Sequence, residues 1–389
     1  MSGFSIVLVS DTYPPVIGGS ELEAQRISAE LIRRGHRVTV LTSGGEPMPA
    51  VREWADPEGV PVKILTRSAR GLSKNFLFAW QVARELWRER RNYQIVYFLM
   101  QGLHLAAGLP VARAAGKTIV MKFGGSGVIS AMRRSHTGRL ELAWLRKWAA
   151  RLMVLNDGMM QEAAEYGFPH EQMLWMPNPV NTEEFCPATK EEAAALRRDF
   201  NIPENAWVVI YVGRLAREKG LPALMRGFAI AAADAPEAML VLVGGGPMRS
   251  ELEGLARELG IESRVRFAGR VESRDVPLWL RASDVFALTS PSEGFSCALA
   301  EAMSAGLASV TTRIPANEQL VECGVEGLAV PVDDEAAIAR ALAQLFRDPE
   351  MRRRMGSAAR KRIVESFSTA KVADRYEQLF AEATAGARR

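Results

Sequence analysis

Apolar positions along this chain follow two alternating rhythms. Short runs lie at Ser5–Val9, Arg37–Leu41, Val62–Leu65, Ile95–Leu99, Thr118–Phe123 and Leu152–Leu155. A second set lies at Trp207–Val212, Met239–Val243, Val265–Ala268, Val285–Leu288, Ala308–Thr311 and Gly327–Val330. Most are nearly continuous in apolar residues. A parallel strand covered on both faces reads this way, whereas a half-solvated strand alternates. Between the runs are longer stretches of helical period, such as Ser20–Arg34, Asn75–Arg90, Gly220–Ala233 and Arg249–Leu259. Repeated β-α alternation predicts doubly wound parallel sheets of the α/β class.

The rhythm resets once. Residues 176–187, MPNPVNTEEFCP, hold three prolines and two asparagines. Proline cannot donate to a ladder and disfavours helix in the residue before it. This stretch reads as a linker, giving an N-terminal domain over 1–180 and a C-terminal domain over 181–368. After Val330 the pattern is helical, at Glu335–Arg347, Pro349–Glu365 and Thr369–Ala383. Two α/β domains imply a cleft, and open α/β sheets bind ligands beyond the carboxyl ends of their strands.

Composition narrows the class. With 48% hydrophobic and 24% charged residues, the chain is an ordinary globular one and not a disordered one. The three cysteines, Cys186, Cys297 and Cys323, are far apart and form no CxxC pair, which argues against a disulfide framework or a structural zinc site. A reducing, cytoplasmic setting fits them. The first residues read as a buried strand and not a signal peptide, and no apolar run approaches the ~20 residues of a membrane span. Charge is uneven: residues 1–180 carry 22 Lys and Arg against 15 Asp and Glu, and residues 181–389 carry 27 against 30. A basic first half suits an anionic partner or an ordinary solvated surface equally. No nucleic-acid reading motif is present, and nucleic acid is not an expected partner.

Four motifs sit at predicted strand ends. In residues 14–23, PPVIGGSELE, Ser20 and Glu23 fit a capping box, and Gly18 and Gly19 allow close backbone approach. A helix N-terminus there would attract a phosphate; a tight turn before a capped helix reads the same way. Residues 212–220, VGRLAREKG, open with Gly213 and carry Arg214 and Lys219. Fixed cations at a departing diphosphate stabilise the transition state more than the ground state. Arg grips two oxygens and Lys acts as a point charge; the alternative is a solvated basic loop, the reading for Arg217. The third motif, Val243 through Gly244 to Pro247, is a glycine-rich turn without the spacing of a dinucleotide fingerprint. In the fourth, residues 290–302, Glu293 and Glu301 flank a loop and helix start, with Ser296 as the expected cap. Carboxylates suit vicinal hydroxyls. Two unrelated surface glutamates are the alternative, but Glu301 stands among Leu299, Ala300 and Met303, where an acid needs a purpose.

Taken together, GGSE at 18–21, GRLAREKG at 213–220, VGGGP at 243–247 and SEGFSCALAEAMSAG at 292–306 resemble the retaining glycosyltransferases of family 4. The resemblance covers nearly the whole chain and rests on the order of the motifs. It implies the GT-B architecture, two Rossmann-like domains facing a cleft, with helix 369–385 returning to the first. It implies transfer of a sugar from a nucleotide-diphosphate donor to a glycan, lipid-linked or small-molecule acceptor. By position, Arg214 and Lys219 would hold the diphosphate with Gly18, Gly19, Gly213 and Gly244 close by. Glu293 would contact the donor sugar, Gly294, Phe295 and Ser296 its hydroxyls or phosphate, and Glu301 the ribose. Phe267 to Gly269 and Arg270 would lie near the base. No cofactor and no metal is implied, because the cations stand in for one.

One departure stands out. Relatives carry a His after the strand matching Thr118–Phe123; here the place reads Gly124, Gly125, Ser126, Gly127. Backbone groups of this loop then serve the sugar or acceptor, or catalysis is altered or lost. His104 and His136 are candidate replacements, although a lone His more often packs or faces solvent. Two readings compete: a nucleotide-sugar-binding protein of the same fold with altered or lost catalysis, and a nucleotide-sugar epimerase. On the acceptor side, Ser130–Arg151 and Arg67–Arg91 mix cations with Trp80, Trp87, Trp144 and Trp148. Such helices suit peripheral contact with an anionic membrane, or form core on one side and solvated face on the other.

Overall fold

The continuous apolar runs become parallel strands because each has helices to cover both its faces. In the computed structural model, residues 3–16, 18–44, 52–66 and 71–386 are described. Strands β1 (Ser5–Ser10), β2 (Arg37–Ser43), β4 (Pro61–Thr66), β5 (Ile95–Leu99), β6 (Thr118–Lys122), β7 (Arg151–Val154) and β8 (Met173–Trp175) pair in parallel. The short edge strand β3 (Glu53–Ala55) joins β4 antiparallel. The order is β3-β4-β2-β1-β5-β6-β7-β8. The second sheet runs β11 (Val265–Gly269), β10 (Ala238–Val243), β9 (Trp207–Val212), β12 (Val285–Leu288), β13 (Ala308–Thr312), β14 (Gly327–Val330), parallel throughout.

The chain divides into two units, Met1–Pro179 with Thr369–Arg389, and Val180–Ser368. The first is therefore discontinuous. Its last helix, α15 (Thr369–Gly386), buries Val372, Tyr376, Leu379 and Phe380 in one core with Ile6, Leu8, Ile27 and Tyr97. Arg34 and His36 grip its outer side through Glu377.

Helix α1 (Gly19–Arg33) departs from the sequence reading. Gly18 is its N-cap with no side-chain cap, and Ser20 lies inside the helix. The capping box fails because Glu23 has a better partner. It turns inward, 2% exposed, to pair with Lys122 at the end of β6, itself 1% exposed. Tyr376 Oη donates to Glu23 Oε1 at 2.6 Å, Lys122 Nζ donates to Asn178 Oδ1 at 2.9 Å, and Tyr97 and Tyr376 hydroxyls stand 3.0 Å apart. Burial, then the Glu23 charge, holds both phenols well above their ordinary pKa. Five separated segments meet around this one buried pair.

The two basic stretches separate in character. In α5 (His136–Trp148), Leu142 and Leu145 are core and Trp144 stacks on Trp148. In α2 (Gly71–Arg88), Phe78, Val82 and Leu86 are buried, while Phe76, Trp80 and Trp87 face outward. Arg67 and Arg70 lie outside the described residues.

Breaking a buried ion pair on one side leaves an uncompensated charge, at a cost of about 3–5 kcal/mol. Lys122→Met alone should therefore destabilise the first unit by that order in urea unfolding. Adding Glu23→Gln should recover much of the loss; equal losses in single and double variants would refute the pairing. Glu141, buried on α5, has its carboxyl pushed up to about 7 by desolvation, against a smaller pull from the Ala106 amide. Its neutral form is favoured by folding, so its contribution is intact below the unfolded value near 4.5 and is lost as pH rises through about 7. Glu141→Gln should raise the melting temperature at pH 8 and leave it nearly unchanged at pH 4.5, as calorimetry at the two pH values would show.

Candidate functional site

In the Val180–Ser368 unit the chain starts at central β9, winds outward through β10 and β11, then crosses to β12 on the opposite side of β9. The reversal places a switch point beyond the carboxyl ends of β9 and β12, where doubly wound sheets form crevices. Lys219 leaves the β9 loop and Glu293 the β12 loop, and Lys219 Nζ donates to Glu293 Oε1 at 2.7 Å. Both side chains are largely shielded, at 22% and 13% exposure. Two predicted site residues 74 positions apart thus meet across the switch point.

Glycine makes the surrounding loops fit. Gly220, at φ 63°, begins α8 (Leu221–Ala232), and a Cβ there would stand 2.2 Å from the Thr289 carbonyl oxygen. Gly244, at φ 136°, would put a Cβ 1.9 Å from the Gly213 carbonyl oxygen. Leu215 N donates to Gly245 O at 2.9 Å and Gly244 N to Gly269 O at 2.8 Å. The loops after β9, β10 and β11 are therefore locked by backbone contact. Arg270, exposed, follows Gly269 beside Gly245.

Arg214 is not drawn to Lys219. Its side chain is 67% exposed and pairs with Glu218 one turn on. Its carbonyl oxygen accepts from Tyr211 Oη at 3.0 Å. Burial raises the Tyr211 phenol far above its usual value, helped by the Glu293 and Glu218 charges, so the phenol stays a neutral donor. Arg217, 84% exposed, is the solvated cation expected.

The loop 293–296 leads into α11 (Cys297–Ser304). Ser296 occupies the N-cap position without capping through its side chain. The expected cap is absent because Ser296 Oγ donates to Asn317 Oδ1 at 2.5 Å instead. Asn317, fully buried, in turn donates to the Thr312 carbonyl at 3.0 Å, and Thr312 Oγ1 donates to Ser290 O at 2.5 Å. Sequence reading missed Asn317 and Thr312, which carry no motif; their role is to fix the loop holding Gly294 and Phe295. Phe295 packs 6.3 Å from Phe367. Glu301, 8% exposed, lies within α11.

Gly18, Gly19 and Gly124–Ser126 belong to the other unit. Gly18 caps α1 in extended conformation, with Glu21 folded back beside it and accepting from Thr12 Oγ1 at 2.5 Å. Ile17 lies outside the described residues. Gly124 follows Phe123 after β6, and a Cβ there would stand 3.2 Å from Met100 Cγ. Met100, at φ 70°, holds a left-handed conformation rare for its type. A side chain at 124 would therefore press on Met100. Ser126 Oγ accepts from Asn156 Nδ2 at 3.3 Å. His136 is exposed and meets Arg139, so it is surface. His104 is buried on α3 (Leu103–Ala114).

Comparison with known proteins bears on family and fold. The Glycosyl transferases group 1 family model matches residues 192–362, and the Glycosyltransferase Family 4 model matches 17–184. The N-acetyl-alpha-D-glucosaminyl L-malate synthase of Bacillus anthracis is 30% identical over 58% of this chain and 58% of its own. The match therefore spans little more than half of that relative. A GDP-mannose-dependent phosphatidylinositol monomannoside mannosyltransferase of Corynebacterium glutamicum is 25% identical over 93% of this chain and 94% of its own. The crystal structure of Anabaena HepE in complex with UDP superposes with a TM-score of 0.83 at 21% identity, covering 97% of this chain and 100% of that one. Two doubly wound parallel sheets, the motifs at their strand ends and these matches identify the chain as a member of the family 4, group 1 glycosyltransferases of GT-B architecture.

Proposed function

We propose that the protein transfers a hexosyl group from a nucleoside-diphosphate sugar to an acceptor hydroxyl with retention of anomeric configuration. The observation that carries this reading is the Lys219–Glu293 pair across the switch point of the second unit. A diphosphate leaving group gains charge as the glycosidic bond breaks. Lys219, held in a shielded place by Glu293, stabilises that charge at low reorganisation cost. Arg214, bound to Glu218 on the same loop, swings to the second phosphate as a two-pronged donor. Glu293 accepts from sugar hydroxyls, and Glu301 from the ribose. The incoming hydroxyl bonds to the anomeric carbon, the bond to the diphosphate oxygen breaks, and the hydroxyl proton leaves with the diphosphate. The cations do what a metal does in other transferases. Relatives support a nucleotide-sugar donor: HepE is solved with UDP and with UDP-glucose, and the corynebacterial relative is named for GDP-mannose.

For the acceptor side, α2 favours contact with an anionic lipid surface. Phe76, Trp80 and Trp87 are 64%, 58% and 49% exposed along one helix face. Arg84 lies over Trp80 at 5.7 Å and Arg90 over Trp87 at 4.5 Å, and Arg91 is exposed beyond them. Aromatic rings bracketed by cations suit the headgroup boundary of a negatively charged membrane. Among the described residues no helix is long and apolar enough to cross a membrane.

Arg214→Ala and Lys219→Ala should each lower turnover by ~10²-fold or more, the effect of removing one stabilising group. A screen of UDP-, GDP-, ADP- and TDP-sugars supplies the donor, and near-normal turnover in both variants would reject the diphosphate assignment. Glu301→Ala should weaken donor binding by calorimetry. Product formed without acceptor would favour an epimerase, and donor binding without even slow hydrolysis a binding protein. Vesicles containing phosphatidylglycerol should carry the protein upward in flotation, less so with Trp80→Ser and Trp87→Ser or at high salt. Equal flotation of the variant would refute contact through α2.

A further inference from the structure

The first unit holds a cavity of about 220 Å³ under the last turns of α2, against the first residues of β1 and β2. Doubly wound sheets take their substrates beyond the carboxyl ends of the strands, so this space at the amino ends lies outside any transfer site. It is several times the ~30 Å³ share of one water, room enough for a small organic molecule.

Its lining is polar where a sheet meets a helix with apolar side chains. Ser5 is level with Arg37, Val7 with Thr39, and Leu41 with Lys63, so all six side chains stand on the face that α2 covers. From α2, Glu85 turns toward them and is 5% exposed. Its Oε1 accepts from Lys63 Nζ at 2.9 Å and from Arg88 Nη2 at 2.7 Å. No donor among the described residues reaches its Oε2, and Glu85 lines the cavity. A buried acceptor left without a donor is costly. At the other end Arg37, exposed, donates through Nε and Nη2 to the Ser5 hydroxyl at 3.2 and 2.7 Å, and no carboxylate among the described residues pairs with it. Leu41 and Leu86 form an apolar wall between these ends. Tyr93 Oη donates to Leu86 O at 2.8 Å, which pins the turn after α2 and keeps that wall in place.

These groups define the ligand chemically. Glu85 Oε2 only accepts, so the ligand brings an N–H or O–H there. Lys63 and Arg88 already answer both Glu85 and Glu89, with Lys63 Nζ 3.7 Å and Arg88 Nη2 3.2 Å from Glu89 Oε1. Arg37 is then the cation left unanswered, and a guanidinium grips both oxygens of a carboxylate. Lys63, with Glu85 on it, stands beside Leu41, four residues along β2 from Arg37. That is about 13 Å of strand, so the two polar groups of the ligand belong at opposite ends of a chain and not on one carbon.

We propose that this cavity binds a small aliphatic acid with an amino or hydroxyl group at its far end, the carboxylate on Arg37 and the far group on Glu85 Oε2. The site is separate from the transferase reading and does not depend on it. Isothermal calorimetry on the full-length protein without donor sugar tests it. 6-Aminohexanoate and 6-hydroxyhexanoate should bind saturably. Hexanoate lacks the far donor, hexylamine lacks the carboxylate, and norleucine carries both groups on one carbon. Each should bind ~10-fold more weakly or not at all, one hydrogen bond to a charged group being worth about a decade. Arg37→Met removes an exposed guanidinium and should abolish binding while leaving the melting temperature unchanged. Glu85→Gln also breaks two ion pairs, so Thr39→Leu is the second variant: it fills the space from the sheet side and should block binding with the fold intact. Hexanoate or norleucine binding as tightly as 6-aminohexanoate, or binding that survives Arg37→Met, would overturn the assignment. So would the absence of saturable heat with every probe, which would leave the cavity to water alone.

Discussion

A lysine without water needs a carboxylate, and in the first unit that requirement organises the fold. Lys122 closes β6, Glu23 comes from α1, Asn178 precedes the crossover into the second unit, and Tyr376 comes from α15. Remove any partner and a charge or hydroxyl is stranded in a dry place. Replacing such a pair by apolar side chains is often neutral or stabilising, so its presence speaks more to geometry than to stability. It fixes where β6 ends, and the glycine loop that follows begins two residues later, at Gly124. The same pair denies Glu23 to the helix terminus, which leaves the α1 N-terminus at Gly18 without a side-chain cap.

The second unit meets its constraint differently. Its loops are held by backbone approach, with carbonyl oxygens standing where side chains would otherwise be. Rigidity there comes from glycines whose conformations no other residue adopts cheaply. On that frame the Lys219–Glu293 pair joins the two halves of the sheet at their topological reversal. Preorganised charge on a rigid support is what stabilisation of a leaving group demands.

Much of this was legible in the residues. Strands buried on both faces announce themselves, and Ile95–Leu99 and Trp207–Val212 fall where the apolar runs lie. Strand β3, three residues of Glu, Trp and Ala at an edge, has no such signal. Lys219 and Glu293 were readable because each sits in a motif at a strand end. Capping was misread twice for one reason: local spacing offered Ser20–Glu23 and Ser296 as caps, while the partners that captured Glu23 and Ser296, Lys122 and Asn317, lie 99 and 21 residues away. Long-range competition for a polar side chain leaves no local trace. Gly124 was visible as a departure, but its contact with Met100 needed three dimensions.

The discontinuity of the first unit has a consequence for how the protein is made. Synthesis delivers β1 through β8 early and α15 last, after the whole intervening unit. Until then the face meant for Tyr376, Leu379 and Phe380 stays uncovered, and Glu23 and Tyr97 wait for their final partner. The Val180–Ser368 unit is one continuous stretch and waits for no later segment. The order of synthesis and the order of packing therefore differ in the first unit alone, whose core includes a segment made after the second.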